Sequence, residues 1–583
     1  MQKQFFCARF LTSILMLLLL PALLQAAVDP AVLAAQKQRV DVIKAVSPSV
    51  VAIFGAAGKG GGSGVLVTSD GFALTNFHVA SPSGNFMKCG LNDGKLYDAV
   101  IVSVDPTGDV ALIKLLGRTD FPVARLGDSD AVKVGDWAYA MGNPFLLATD
   151  FQPTITYGIV SGVHRYQYPA GTFLEYTDCI QVDSSINPGN SGGPLFNDQG
   201  ELIGINGRGS FEKRGRVNSG AGYAISINQI KHFWDHLKSG RIVDHAALGA
   251  TVSTDFDSRI DVTEILEESD AYRKGLRLGD EIVSFAGRPI HSVNQFKNIL
   301  GIYPAGSTLP LVYRRDEKKT TIHVRLQALH RASELQKRAG QKKSVPEKPQ
   351  QPDDKRPSPI PNSHTKQATN LPPDKYKHLY IPKTGFANYY FNKREQERLL
   401  QALNDSSNFS DRKGTWTLTG KQIDGGEFTL TLADKGVGFE VGNDIFLQSL
   451  ETGVLLDEPP RTGGLLAALH HFRLLLSGQT ARFTDFYYLG SERLDGKNEL
   501  VDVLVATQTG AISRWYFNKS DLSLRGFDFY LTENSEVCRI RFEQFQTLKG
   551  QKFPGEIDVQ YGNQPLLKLK IGRVKLETLE SSK

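Results

Sequence analysis

From residue 49 to about 227 the sequence is a succession of short β-rich runs, such as 49–54, 64–68 and 99–104, broken by glycines and Asp-Gly turns. Strands this short and this closely spaced predict β-barrels or a sandwich, because only closure or face-to-face packing hides their edges. A helix is expected ahead of them over 31–46, with Val40, Ile43 and Val46 at helical spacing. Another follows over 228–237 and stops near Gly240.

The chain is 583 residues long, enough for three or four domains at roughly 100–200 residues each. A second unit, 245–330, reads strand, strand, short helix, strand, helix, strand, strand. Its longer helix places Val293, Phe296 and Leu300 on one face. Residues 331–373 are rich in Pro, Lys, Gln and Asp and nearly empty of large apolar groups. Such a segment buries too little surface to offset its ordering entropy, so it reads as a disordered, extended linker. From 374 to 583 alternation returns. Runs 415–419, 428–432, 500–507 and 537–542 predict antiparallel strands, and 463–478 a buried helix. The first domain is set at 31–240.

Residues 1–26 carry Lys3 and Arg9, then the apolar run 11–24, with Ala26 and Ala27 behind it. This is the three-part pattern of a cleaved secretory signal peptide, and the run is shorter than the roughly 20 residues of a membrane span. The expected protein is exported, periplasmic or secreted, with cleavage near Ala26. Cys7 leaves with the leader. Cys89, Cys179 and Cys538 remain, an odd number that argues for buried thiols over a disulfide scaffold, although a Cys89–Cys179 bridge stays open. The net charge of +5 is too small at this length to argue for nucleic acid.

The segment NPGNSGGPLF (187–196) carries the chemistry. A serine hydroxyl needs a base to take its proton and donors to hold the oxyanion formed on attack. Ser191 is the candidate nucleophile. Its glycine-rich setting lets backbone N–H groups converge, and Gly189, Asn190 and Ser191 are assigned to the oxyanion hole. His78, in ALTNFHVA (73–80), is the candidate base at the start of a helical turn. Asp109, in DPTGDVALIKL (105–115), is the candidate orienter of the imidazole, because it abuts an apolar strand. Asp105 competes for that role from a Pro-Thr-Gly turn. His164, His232 and His245 are read as structural. His470 and His471 are adjacent, do not face one ligand on a helix, and predict no metal site.

These motifs, with VGDWAYAMGNPF and TYGIVSGVHR between them, resemble the trypsin-like protease domain of the HtrA (Deg) family over about residues 42–237. The resemblance implies a chymotrypsin-like pair of six-stranded β-barrels with the site in the cleft between them, and no cofactor. The chain departs at Phe77, where relatives carry Asn, and at Val182 and Ser184 of their Thr-Asp-Ala. By the same resemblance Ser185 lies at the floor of the substrate pocket. Ile205, Asn206 and Gly207 form one wall and residues 222–225 the other. No acid lies at that floor, so small or medium apolar side chains are expected before the cut, since a buried cation would lack a partner. Residues 247–329 resemble an HtrA-type PDZ domain through AYRKGLRLGDEIVSFAGRPI (271–290). This implies that Ala247, Leu248, Gly249 and Ala250 form a loop for the carboxylate of a peptide C-terminus. The β-rich α+β C-terminal domain resembles the LolA-like fold, a curved antiparallel sheet over an apolar cavity. It implies a lipid or lipoprotein as partner. A substrate-presenting module is the other reading.

The expected fold class is mainly β: double β-barrel, PDZ domain, then the C-terminal domain. The expected function is a serine endopeptidase for unfolded or damaged proteins, with the PDZ domain reading chain ends and a homotrimer implied by the relatives. The competing reading is a chaperone or binding protein that keeps a protease fold without catalysis.

Overall fold

The computed structural model describes residues 28–54, 61–143, 150–167, 174–187, 189–211, 218–340, 374–423, 425–497, 499–562 and 564–578. The expected leader and most of the expected linker lie outside the described residues.

Six strands close the first barrel: Val50–Phe54, Gly61–Leu66, Phe72–Thr75, Phe86–Gly90, Leu96–Asp105 and Val110–Leu115. Alternate residues point to opposite faces, yet both faces are buried. Val51, Ile53, Ala73, Met87, Ile101 and Ile113 form one core cluster. Val65, Phe72, Leu74, Val100, Val102 and Leu112 form another with Tyr139, Met141, Tyr176 and Ile205 of the second sheet, and with Phe233 and Leu237 of the helix Ile227–Lys238. This second cluster joins the two halves of the protease domain, at roughly 1.5–3 kcal/mol for each large apolar side chain buried. The second sheet has seven strands. Pro194–Phe196 pairs with both Trp137–Gly142 and Glu201–Phe211, which closes a ring of six and leaves Arg125–Leu126 as the seventh.

The PDZ unit contains the expected order through the strands Thr308–Arg315 and Lys318–Arg325, and a short strand Gln327–Ala328 then pairs with Ala246–Ala247 at its start. Its helix Val293–Gly301 is capped by Ser292, whose hydroxyl accepts from Gln295 N at 3.1 Å. The unit sits between the other two domains on polar contacts. Arg288 pairs with Asp130 at 2.7 Å, and Asn298 donates to His164 O at 2.7 Å. On its other side Lys274 pairs with Glu536 at 3.3 Å, and the Arg325 guanidinium lies 4.5 Å from the Tyr530 ring centre.

The expected linker is corrected at its start. Ala332–Gly340 is helical, with Leu335 buried in the core of the first barrel. Glu334 near the helix start and Lys337 and Arg338 near its end suit the helix dipole. One apolar side chain reaching a core outweighs the polar composition around it. Gln336 Oε1 then accepts from Gly385 N at 2.8 Å, a bond between residues 49 apart in the chain. Residues 380–391 also bind the protease domain. The Tyr380 ring meets Phe86, the Phe391 ring meets Phe72, and Asn388 Nδ2 donates to Ile101 O at 2.8 Å. Gly240 must be glycine here, with φ at 72° and its missing Cβ only 2.2 Å from Asn388 O.

The C-terminal domain is an eleven-stranded antiparallel sheet with edge strands Asp444–Ser449 and Asp485–Arg493. Every residue of the helix Leu465–Leu476 is buried. Phe472 packs among Trp416, Phe527, Phe542 and Phe553. This helix and its aromatic neighbours form the apolar core of the domain. Arg473 is buried too, and its charge is answered by Asp434 and the carbonyls of Lys413 and Gly414.

Three histidines are buried as neutral rings. Burial, with nearby arginines, holds His236 at about 3 and His470 at about 4; burial and His470 hold His471 at about 3. Unfolded histidine titrates near 6.5, so the native state loses stability as pH falls from there toward these values. Lowering the pH from about 7 to about 4 should therefore lower the unfolding temperature read from tryptophan emission, Trp416 and Trp515 both being buried in this domain. His471→Leu cannot charge and should show a weaker pH dependence. An unchanged dependence would contradict the assignment.

Candidate active site

Asp109 ends the turn that follows strand Leu96–Asp105. It adopts φ of 58°, a left-handed conformation that costs a non-glycine residue roughly 1–2 kcal/mol. The turn is held by backbone bonds. Asp105 Oδ1 accepts from Thr107 N at 3.1 Å and from Gly108 N at 2.8 Å. Asp109 O accepts from Phe77 N at 3.1 Å and from Asn76 Nδ2 at 2.9 Å. The unusual φ therefore brings the carboxylate beneath the helix Phe77–Ser83, which carries His78 in its first turn.

The Asp109 side chain has no exposed surface, while that of His78 is 32% exposed. Asp109 Oδ1 accepts from His78 N at 3.0 Å, and Oδ2 lies 2.7 Å from His78 Nδ1. An ionised carboxylate only accepts, so Nδ1 carries the hydrogen and Nε2 of the neutral ring carries the lone pair. Asp105 does not serve His78. Its other oxygen is 2.7 Å from His245 Nε2.

Ser191 sits in a loop pinned to the first barrel. Ser191 O accepts from Ser63 N at 2.9 Å, and Ser63 Oγ donates to Gly189 O at 2.7 Å. Gly192 N donates to Asn206 O, and Asn206 N to Gly193 O, both at 2.8 Å. A side chain at 192 would meet Ser63 O at 2.2 Å, so only glycine fits. Gly62 marks where the two halves meet, since a Cβ there would lie 2.7 Å from Val79 Cγ2 and 3.0 Å from Ser191 O. The Ser191 hydroxyl donates to Gly207 O at 3.1 Å. For the proton to pass to an imidazole instead, the hydroxyl hydrogen must turn away from that carbonyl.

The expected oxyanion hole is corrected at one residue. Asn190 N donates to Asn187 O at 2.9 Å, so its N–H is already engaged, and its buried side chain braces the loop. Among the described residues, no carbonyl accepts from the N–H of Gly189 or of Ser191. Those two N–H groups are therefore open to an acceptor from outside the chain.

Around the pocket, Ser185 is exposed rather than enclosed, and its carbonyl accepts from Thr156 Oγ1 at 2.9 Å. Ile205 and Asn206 are buried, and Asn206 Nδ2 braces Pro194 O at 2.9 Å. Gly207 and Gly222, in the expected walls, leave no room for a side chain. Cβ atoms there would lie 2.6 Å from the Tyr176 ring and 2.7 Å from Ile186. In the PDZ unit, Gly249 has φ of 74° and its carbonyl accepts from Leu266 N at 2.8 Å. Leu248 is buried, and Ala250 opens an edge strand.

Sequence reasoning missed Tyr176. This buried phenol donates to Asp109 Oδ2 at 2.5 Å from the second barrel. Its only sequence signal was the irregular stretch before strand Tyr176–Val182.

Residues 62–205 match the trypsin-like peptidase domain family model, and residues 246–326 the PDZ domain model. The periplasmic serine endoprotease DegP of Escherichia coli (strain K12) is 36% identical over 295 residues, covering 47% of this chain and 60% of that protein. A probable periplasmic serine endoprotease DegP-like of Chlamydia trachomatis is 35% identical over 275 residues, 45% of this chain and 53% of its own. The chain thus spans 60% or less of the length of these curated relatives. Among solved structures, an HtrA-type protease AlgW with tripeptide is 28% identical, covers 50% of this chain and 97% of its own, and has a TM-score of 0.42. Residues 62–205 and 246–326 therefore place a trypsin-like peptidase domain ahead of a PDZ domain.

A hydrogen bond to a charged group contributes about 1.5–3 kcal/mol. Tyr176→Phe should accordingly slow labelling of Ser191 by a fluorophosphonate by about ten- to a hundredfold, read by mass spectrometry of the labelled peptide. An unchanged labelling rate would place Tyr176 outside the mechanism.

Proposed function

We propose that this chain, an HtrA-type protease–PDZ protein, is a periplasmic serine endopeptidase that cleaves unfolded polypeptides. The observation that carries the reading is the buried Asp109 carboxylate, which holds His78 Nδ1 at 2.7 Å beside the loop that presents Ser191. Ser191 Oγ attacks the scissile carbonyl as His78 Nε2 takes its proton. Asp109 stabilises the imidazolium, and the Gly189 and Ser191 N–H groups receive the oxyanion. The imidazolium then protonates the leaving amine, and water hydrolyses the acyl-enzyme by the same route.

Several features support the rest of the proposal. The leader pattern and the periplasmic relatives support export to that compartment. The PDZ edge strand Ala250–Thr254, behind the turn at Gly249, suits a peptide C-terminus added as a further strand. Val134, Trp137, Tyr157 and Ile159 form an exposed apolar set on the second barrel, with the Arg39 guanidinium 5.0 Å from the Tyr157 ring centre. Such a patch supports self-association, as in the proposed homotrimer.

An unfolded protein such as casein tests the reading. The wild-type chain should cleave it, and Ser191→Ala should cleave it at least about a thousandfold more slowly. Equal inertness of both proteins, together with suppression of aggregation by both, would favour the idle chaperone.

A further inference from the structure

The turn that delivers Asp109 is also held from outside the barrels. Asp105 Oδ2 meets His245 Nε2 at 2.7 Å, 140 residues along the chain, where the protease domain leads into the PDZ unit. His245 Nδ1 meets Gly301 O at 2.6 Å, at the end of the PDZ helix Val293–Gly301. A carbonyl has no proton to give. Asp105 accepts two backbone N–H bonds on its other oxygen and so faces the ring as a hydrogen-bond acceptor. Both ring nitrogens of His245 therefore carry hydrogen, and the ring is an imidazolium. Both side chains are 2% exposed, so this is a closed ion pair. It also touches the main chain that it supports. A Cβ on Gly108 would lie 2.4 Å from Asp105 Oδ2 and 2.9 Å from His245 Nε2, and Gly108 immediately precedes Asp109.

We propose that His245 is a positioning residue for Asp109. Its imidazolium fixes Asp105, Asp105 folds the turn, and the turn sets Asp109 in its left-handed conformation. The same ring anchors the PDZ helix, so one side chain registers the PDZ domain against the catalytic carboxylate. This inference rests on the protease reading.

Few charges face the ring. Asp105 faces it from strand Leu96–Asp105. Asp244 is its chain neighbour, and its carboxylate is paired with His330 Nδ1 at 2.8 Å. The helix Ile227–Lys238 offers the uncharged Gln229 and Phe233, the latter ring 4.6 Å away. His232 on that helix turns instead to Ile302 O. The PDZ helix offers the Gly301 carbonyl, and behind it the second barrel offers Thr177. Burial alone would lower the pKa of His245, but the charge and hydrogen bond of Asp105 more than reverse this, so it lies above 6.5. The bridge is accordingly present at low pH and lost as pH rises through that raised value. His78 works in the opposite sense, since it must be neutral to act as a base.

The test is a pH profile of kcat for a fluorogenic unfolded substrate, wild type against His245→Gln. Glutamine cannot donate at both ends. The expected result is a fall in kcat of about tenfold with KM changed less than about twofold, and loss of the alkaline limb of the wild-type profile. Wild-type kcat and an unaltered alkaline limb in the variant would overturn the proposal. If the variant does not fold, nitrogen-15 NMR of histidine-labelled wild-type chain decides. Both His245 nitrogens should be protonated at neutral pH, and a neutral ring there also overturns it. If the wild type shows no turnover, the protease reading fails instead. In that case the low-field proton of the His78–Asp109 bond should shift between wild type and variant, and an unmoved resonance sinks the positioning role separately.

Discussion

A carboxylate with no exposed surface has to find inside the protein everything that water would have given it. Stranding such a charge costs several kcal/mol, and Asp109 meets that cost with three donors, His78 N, His78 Nδ1 and Tyr176 OH. Two of these come from the first barrel and one from the second. The cleft is therefore closed by the same bonds that orient the imidazole. Neither barrel alone completes the site, and a separate apolar cluster with side chains from both joins them.

The domains beyond the barrels meet them in two different ways. The PDZ unit is held mostly by charged and amide contacts, such as Arg288 with Asp130 and Lys274 with Glu536. Interfaces of this kind resemble those of partners that separate and rejoin. The C-terminal domain is attached more firmly, through Phe391 in the barrel core and Asn392 Nδ2, which donates at 2.7 Å to both Ser239 O and Tyr488 O. The His245–Asp105 pair is the one fully buried ionic contact described between the PDZ unit and the barrels. It places a buried charge beside the uncharged contacts of the same boundary, such as Asp178 N with Asn298 Oδ1 at 2.9 Å.

The parts of this architecture that were legible in the sequence were those written locally. The strand runs, the PDZ order of elements and the buried helix 463–478 announce themselves through period and turn residues. His78, Asp109 and Ser191 sit in motifs whose glycines and flanking strands state what the backbone must do. What escaped was written across distance. Tyr176 is a single aromatic at a strand start, and nothing nearby in the chain says that it reaches Asp109. His245 read as a lone structural histidine because its partner lies 140 residues away. Asn190 looked like a donor because its glycine neighbours suggested converging amides, whereas its N–H closes the turn. Leu335 was hidden by composition, one apolar residue in a polar stretch that nonetheless found a core.

The bond between Gln336 and Gly385 gives the long polar segment a particular standing. The helix Ala332–Gly340 before it and residues 380–391 after it both dock on the first barrel through contacts that the segment does not itself supply. Loop closure over such a length costs only a slowly growing entropy. A single nick within it would leave two fragments that remain docked through Tyr380, Asn388 and Phe391, separable under denaturant yet behaving as one particle in water.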